Sequence, residues 1–124
     1  MGYSKVLVGH CKYDFNVDGG AATTITPAMN FHIPIGAIVL RVTGSARTAL
    51  ASDTGAATMA VALGGLTINA ATQFDHADYV AVDVHYNTPA ATTAAGSLTV
   101  TLSHAFTAGE YDLYVEYLPS GDAN

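Results

Sequence analysis

The chain has 124 residues, enough for one domain with one core and too few for two ordinary ones. Only 11% of its residues are charged, against about 25% in an ordinary soluble domain, and ten acidic against four basic side chains leave a net charge of −6. Lys5, Lys12, Arg41 and Arg47 are scattered, which argues against neutralising nucleic-acid phosphates, and the net sign disfavours an anionic membrane surface.

Cys11 is the only cysteine, so no intramolecular disulfide forms and a bridge-stapled secreted scaffold is excluded. It lies in an apolar run, where a small buried hydrophobe is expected and not a reactive thiol. No stretch of about 18 apolar residues occurs and no charged n-region leads into an apolar run. The expectation is a chain made in a cytosol and not inserted in a membrane. With charge so scarce, its surface must be built from Thr, Ser, Ala, Gly and Asn, and such a surface is poorly protected against association.

In chain order, Ser4 to Val17 comes first. Val6, Val8 and His10 share one parity, and Leu7, Cys11, Tyr13 and Phe15 share the other. Apolar groups on both parities read as a strand covered on both sides, or as an arm packed on a partner. Asp18 to Ala22 is turn material, and Pro27 and Pro34 exclude a helix through most of Thr23 to Pro34. Residues 1–32 are accordingly expected to be an arm or strand with a linker to a core at 33–119.

Ala37 to Ser45 is the cleanest strand of the first half, with Ile38, Leu40 and Val42 on one face and Arg41 and Thr43 on the other. Arg47 to Ser52 reads as a link. Thr58 to Leu63 alternates through Met59, Val61 and Leu63, and Gly64-Gly65 turns it into a short strand at Leu66 to Ile68. Asn69 to Asp78 has the only helical case, a turn or so capped by Asn69. Tyr79 to Tyr86 alternates again, Thr88 to Gly96 reads as a low-complexity loop, and Gly96 to Pro119 closes the chain. That closing stretch has Leu98, Val100 and Leu102, then Tyr111, Leu113, Val115 and Tyr117, as two alternating runs. They read as an antiparallel pair joined by a loop at His104 to Glu110.

Seven or eight short strands with negligible helix specify a sandwich or a barrel, and long cross-connections favour a jelly roll. The expected fold is all-β: a single-domain, jelly-roll-like antiparallel β-sandwich of about eight strands over residues 1–124, with an N-terminal arm or strand.

Chemistry is sparse. Asp75-His76-Ala77-Asp78, with Asp83 and His85 nearby, lacks the spacing of a calcium loop or a zinc site. No Gly-x-Ser-x-Gly elbow and no phosphate-cradling loop occur. Asp83, Asp112 and Glu116 suggest a paired-carboxylate hydrolase, but Asp112 and Glu116 lie four residues apart on one strand, about 13 Å, beyond what such pairs need. No catalytic residue, metal site or cofactor is assigned. Tyr114, between Asp112 and Glu116 and opposite in parity to Leu113 and Val115, either packs into a second covered face or offers an aromatic contact to a protein or a sugar.

Three segments together carry a resemblance. They are Ile33-Pro34-Ile35-Gly36-Ala37-Ile38-Val39 leading to Arg41-Val42-Thr43-Gly44, then Met59-Ala60-Val61-Ala62-Leu63-Gly64-Gly65, and finally Thr107 to Pro119, TAGEYDLYVEYLP. From Ile33 onward the chain resembles small structural proteins of tailed bacteriophages, in particular cyanophage-like capsid decoration, or cement, proteins with a jelly-roll fold. The resemblance implies a non-enzymatic virion protein on the outer capsid surface, without a cofactor. It implies binding to the major capsid protein at junctions between its subunits and self-association, often as a homotrimer. Nucleic acid and membrane are not among the expected partners. The interface candidates are Tyr3, Val6, Val8, Tyr13 and Phe15 of the first run, His85, Tyr86 and Pro89 of the segment His85 to Thr93, and Asp112, Tyr114 and Glu116. A tail- or fibre-associated adhesion module binding a surface glycan is the competing expectation.

Overall fold

A computed structural model of the chain describes residues 5–52, 54, 57–73 and 82–119. Among them the apolar, β-branched and Thr-rich runs form ten strands. In chain order these are β1 (Leu7–Asp14), β2 (Thr24–Ile25), β3 (His32–Ile33), β4 (Ile38–Ser52), β5 (Thr58–Leu63), β6 (Leu66–Gln73), β7 (Val82–Ala91), β8 (Gly96–Ser97), β9 (Thr99–Leu102) and β10 (Phe106–Leu118). One helical turn, α1 (Phe15–Asp18), follows β1.

Two four-stranded antiparallel sheets pack face to face. Sheet A has the order β1-β10-β4-β7 and sheet B the order β2-β9-β5-β6, while β3 and β8 make a two-stranded ribbon. The chain crosses repeatedly between the layers, so that strands far apart in sequence become neighbours. Eight strands in two sheets of this order are a jelly roll, which agrees with the expected class.

The core lies between the layers. Cys11 and Tyr13 of β1, Val39, Val42 and Leu50 of β4, and Tyr111, Leu113 and Val115 of β10 enter it from sheet A. Met59, Val61, Leu63, Val100 and Leu102 enter it from sheet B. Each such side chain stabilises the fold by roughly 1.5–3 kcal/mol relative to leaving it in water. Burial pushes the Cys11 thiol up to about 12, with the Asp18 and Asp112 charges adding to the effect, so it stays protonated and unreactive.

Several expectations are corrected. The closing runs are not a hairpin: β9 pairs with β2 and β5 in sheet B, whereas β10 pairs with β1 and β4 in sheet A. The short connection between them passes from one layer to the other, and strand structure resumes at Phe106. β4 continues through Arg47 to Ser52, which is strand and not link. Its inward residues are Val39 and Val42, because Leu40 is an extra residue against β10 between the pairs Val39–Tyr117 and Arg41–Glu116. A bulge there resets the parity that uninterrupted alternation predicts. Asn69 to Gln73 belongs to β6 and is extended, not helical; residues 74–81 lie outside those described. Thr88 to Ala91 is strand, and the connection after it is short.

Two details fix the ends. Gly64 and Gly65, at φ 58° and 83°, make the expected tight turn between β5 and β6. Thr92, nearly fully buried, donates from Oγ1 to the Pro34 carbonyl at 2.8 Å and accepts from Ala37 N at 3.1 Å, tying β7 to the entry of β4.

Candidate interaction face

The outward surface of sheet A collects most of the charged residues among those described. On β1 the residues opposite in parity to Cys11 and Tyr13, namely Val8, His10, Lys12 and Asp14, face out. Antiparallel register sets them beside β10: Val8 opposite Glu116, His10 opposite Tyr114, Lys12 opposite Asp112 and Asp14 opposite Glu110. On the other side of β10, Tyr114 is opposite Thr43 and Glu116 opposite Arg41.

Asp112 is the hub. Its side chain is only 7% exposed. A carboxylate only accepts, so the Nε2–H of His10 donates to Oδ1 at 2.8 Å, while Arg47 donates to Oδ2 from Nε at 3.0 Å and brings Nη2 within 3.0 Å of the same oxygen as an ion pair. Burial alone would raise the Asp112 carboxyl, but the hydrogen bonds from His10 and Arg47, with their charges, hold it below its ordinary value. Arg47 reaches Asp112 because it is an extra residue in β4, between the pairs Tyr111–Ala46 and Glu110–Thr48. A bulge at that point re-aims its side chain across the strand.

Beside this hub Lys12 stands between two further carboxylates. Lys12 Nζ lies 3.5 Å from Glu110 and 3.8 Å from Asp14, and Thr48 donates to Glu110 at 3.3 Å. The His10 ring stacks on Tyr114 with centroids 4.7 Å apart and planes 6° from parallel. One face of Tyr114 is thereby covered, yet the residue remains 39% exposed.

The fold separates the sequence-derived candidates. Val6 and Val8 are bare, at 51% and 62% exposed, and Asp112, Tyr114 and Glu116 lie on the outer face as parity requires, with Asp112 covered by its own chain. Tyr13 is fully buried, packed edge-on against Phe106, its hydroxyl donating to the Gly19 carbonyl at 2.7 Å, so its surface is used inside the subunit. Phe15, half-buried in α1, packs against the core. His85, Tyr86 and Pro89 lie on β7, with His85 opposite Arg41; Tyr3 lies outside the described residues. Tyr86 to Pro89 stand against the single Leu40, a wide irregularity in an outermost strand, where a proline is tolerated.

His10, Lys12 and Arg47 were not singled out from sequence. The alternation of β1 put His10 and Lys12 on one parity, but which strand they adjoin is a matter of register, and no local pattern signals the bulge at Arg47. Of the possible metal cluster, Asp75, His76 and Asp78 lie outside the described residues; among those described no three His, Cys, Asp or Glu side chains converge. No described helix is long and apolar enough to cross a membrane. This face holds Asp112, Asp14 and Glu110 against His10, Arg47 and Lys12 and presents the half-covered Tyr114 ring beside the exposed start of β1.

No protein-family model matches the chain, and no curated protein matches its sequence. Among solved structures it is similar to a chain of the acidic stable capsid structure of Helicobacter pylori bacteriophage KHP30. The TM-score is 0.60 at 16% sequence identity, over 97% of this chain and 94% of that one. Likeness at that identity is likeness of fold, and it extends over nearly the full length of both chains.

Proposed function

We propose that the chain is a structural virion protein that decorates and stabilises the outside of a phage capsid, binding at junctions between major capsid subunits without catalysing a reaction. The observation that carries this reading is the fold match over nearly the whole of both chains with a chain from a phage capsid structure. The resemblance of the closing strand and of the Ile33 to Gly44 and Met59 to Gly65 segments to decoration proteins supports it. So does a surface with few charges, most of which on sheet A are satisfied within the subunit. In this reading copies cluster as homotrimers, each making several weak contacts, and repetition over the shell sums them into firm attachment. The bare start of β1 and the irregular stretch of β7 are the segments offered to neighbours, and synthesis takes place in the host cytoplasm.

The test is cosedimentation of purified protein with expanded shells that lack it. Saturable binding at a fixed ratio to the major capsid protein, with the shells holding their DNA to higher temperature, is the expected result; no binding overturns the proposal. A second reading, a tail or fibre module that binds a glycan, draws on the exposure of Tyr114. A glycan-array signal that disappears in Tyr114→Ala selects that reading over the first.

A further inference from the structure

Sheet A ends on β1, and among the described residues the side of β1 turned away from β10 is paired over only part of its length. The Lys12 N–H donates outward to the Met29 carbonyl at 2.9 Å, in an isolated bridge. Since outward-pointing backbone groups recur at every second residue of an antiparallel edge, those of His10 and Val8 also point away from β10. Among the described residues no strand pairs with them on that side. The side chains there are bare as well: Val6 and Val8 on the outer face, and Leu7, 42% exposed, on the inner.

Natural sheet edges are blunted by charge, proline, bulges or brevity. β2 is two residues long, and β7 carries Asp83, Pro89 and a wide irregularity. From Val6 to His10 the edge of β1 has no Lys, Arg, Asp, Glu or Pro and no bulge.

We propose that this edge pairs with the same edge of a second copy, β1 against β1 antiparallel across a twofold axis, so that two four-stranded sheets become one of eight strands. Lys12 is already engaged by Met29, which leaves Val6, Val8 and His10 as the outward positions. The register that uses all three sets Val8 opposite Val8 and Val6 opposite His10. On the outer face the partner's Val6 then comes beside the His10–Tyr114 stack. On the inner face the partner's Leu7 comes opposite Gly9, over which the Phe31 ring lies so closely that a Cβ at Gly9 would meet it. Phe31 in turn stacks on Tyr117 with centroids 6.0 Å apart, so Leu7 arrives at an apolar rim. In this register no carboxylate opposes a carboxylate and no ammonium an ammonium.

Three paired positions are a smaller contact than the roughly 1,200 Å² of a stable isolated interface. The pairing is therefore weak between free copies and is reinforced where copies are held in an array, as a link between neighbouring clusters. This deepens the self-association in the proposed function, but it is tested on free protein, so its failure leaves shell binding untouched.

Removing residues 1–12 would strip most of β1 from the sheet, so point variants are the sharper test. Opposed Cα atoms in a hydrogen-bonded antiparallel pair stand about 5.5 Å apart, within the range a disulfide spans. Val8→Cys is compared under mild oxidation with Val17→Cys, which is equally bare at 66% exposed but lies in α1 off the edge. The parent chain, with Cys11 buried, is the blank. Covalent dimer is expected to form at least tenfold faster from Val8→Cys than from Val17→Cys. Adding Val6→Asp is expected to slow it tenfold, by placing a carboxylate against the partner's stack. Equal rates for the two cysteine variants overturn the pairing, and a rate insensitive to Val6→Asp overturns the register.

Discussion

The two sheets share one core and present unlike outer faces. On sheet A, Asp112 is held by His10 and Arg47, Lys12 lies between Asp14 and Glu110, and an aromatic pair stands at the end of the network. On sheet B the outward positions are Thr24, Thr58, Ala60, Ala62, Thr67, Thr99 and Thr101, and Thr24 and Thr101 touch through their hydroxyls at 2.9 Å. The contrast follows from sequence and register. β10 runs between β1 and β4, so its Glu110 and Asp112 meet cations from both sides, whereas the outward positions of sheet B carry small neutral groups. Sheet A has a face whose charged side chains are engaged with one another, and sheet B one of small hydroxyl and methyl groups.

The largest expected effects test the common core. Leu113→Ala in sheet A and Leu102→Ala in sheet B, both fully or almost fully buried, should each lower unfolding free energy by about 3 kcal/mol in denaturant titrations. A loss in sheet B below about 1 kcal/mol would break the picture of two sheets closing on one core.

Next comes the network that distinguishes sheet A. Asp112→Asn keeps the shape and removes the charge, and is expected to cost about 1–3 kcal/mol at neutral pH. The sign of its pH dependence is set by the lowered carboxyl: the stability Asp112 contributes is present above its ordinary value of 3.8 and is lost as pH falls through the lower folded value. Acid unfolding should therefore be shallower below pH 4 in Asp112→Asn than in the parent chain, and parallel acid limbs would show that the network contributes nothing.

The smallest effect sharpens the contrast from the other side. Thr101→Ala removes the hydroxyl contact on sheet B, an exposed pair, and should change stability by no more than about 0.5 kcal/mol. A loss as large as that of Asp112→Asn would mean that sheet B also depends on its outer face.

Much of the fold was legible in local pattern. Met59, Val61 and Leu63 alternate without interruption and Gly64-Gly65 is a composition that a tight reversal of left-handed backbone favours, so β5, the turn and the start of β6 were readable. The first half of β4 was readable as a strand too, but its inward face and its continuation to Ser52 were not, because a bulge has no composition of its own: Leu40 and Arg47 are extra only relative to β10, a strand more than sixty residues away. Asn69 to Gln73 shows the limit of propensity, since Asn and Ala suit a helix cap and a first turn, yet pairing with β5 through Met59–Thr72 and Thr58–Gln73 overrides them. Of the candidate face, the parity of Asp112, Tyr114 and Glu116 was visible in the alternation. Their neighbours were not, because His10 and Arg47 are set by register and bulge.

By itself the sequence determined the class: period-two alternation, turn residues and scarce charge leave an all-β sandwich with a thinly protected surface. The tertiary structure alone decided which strands are neighbours, so that β9 and β10, adjacent in sequence, stand in opposite layers. The physical reason is that alternation records only whether a side chain meets core or solvent, while pairing is made by backbone groups that every residue carries alike. The same is true of the open edge of β1. Its bare valines were readable as a two-sided strand, but that Val8 and His10 turn their backbone outward follows only from β10 on one side and Met29 on the other.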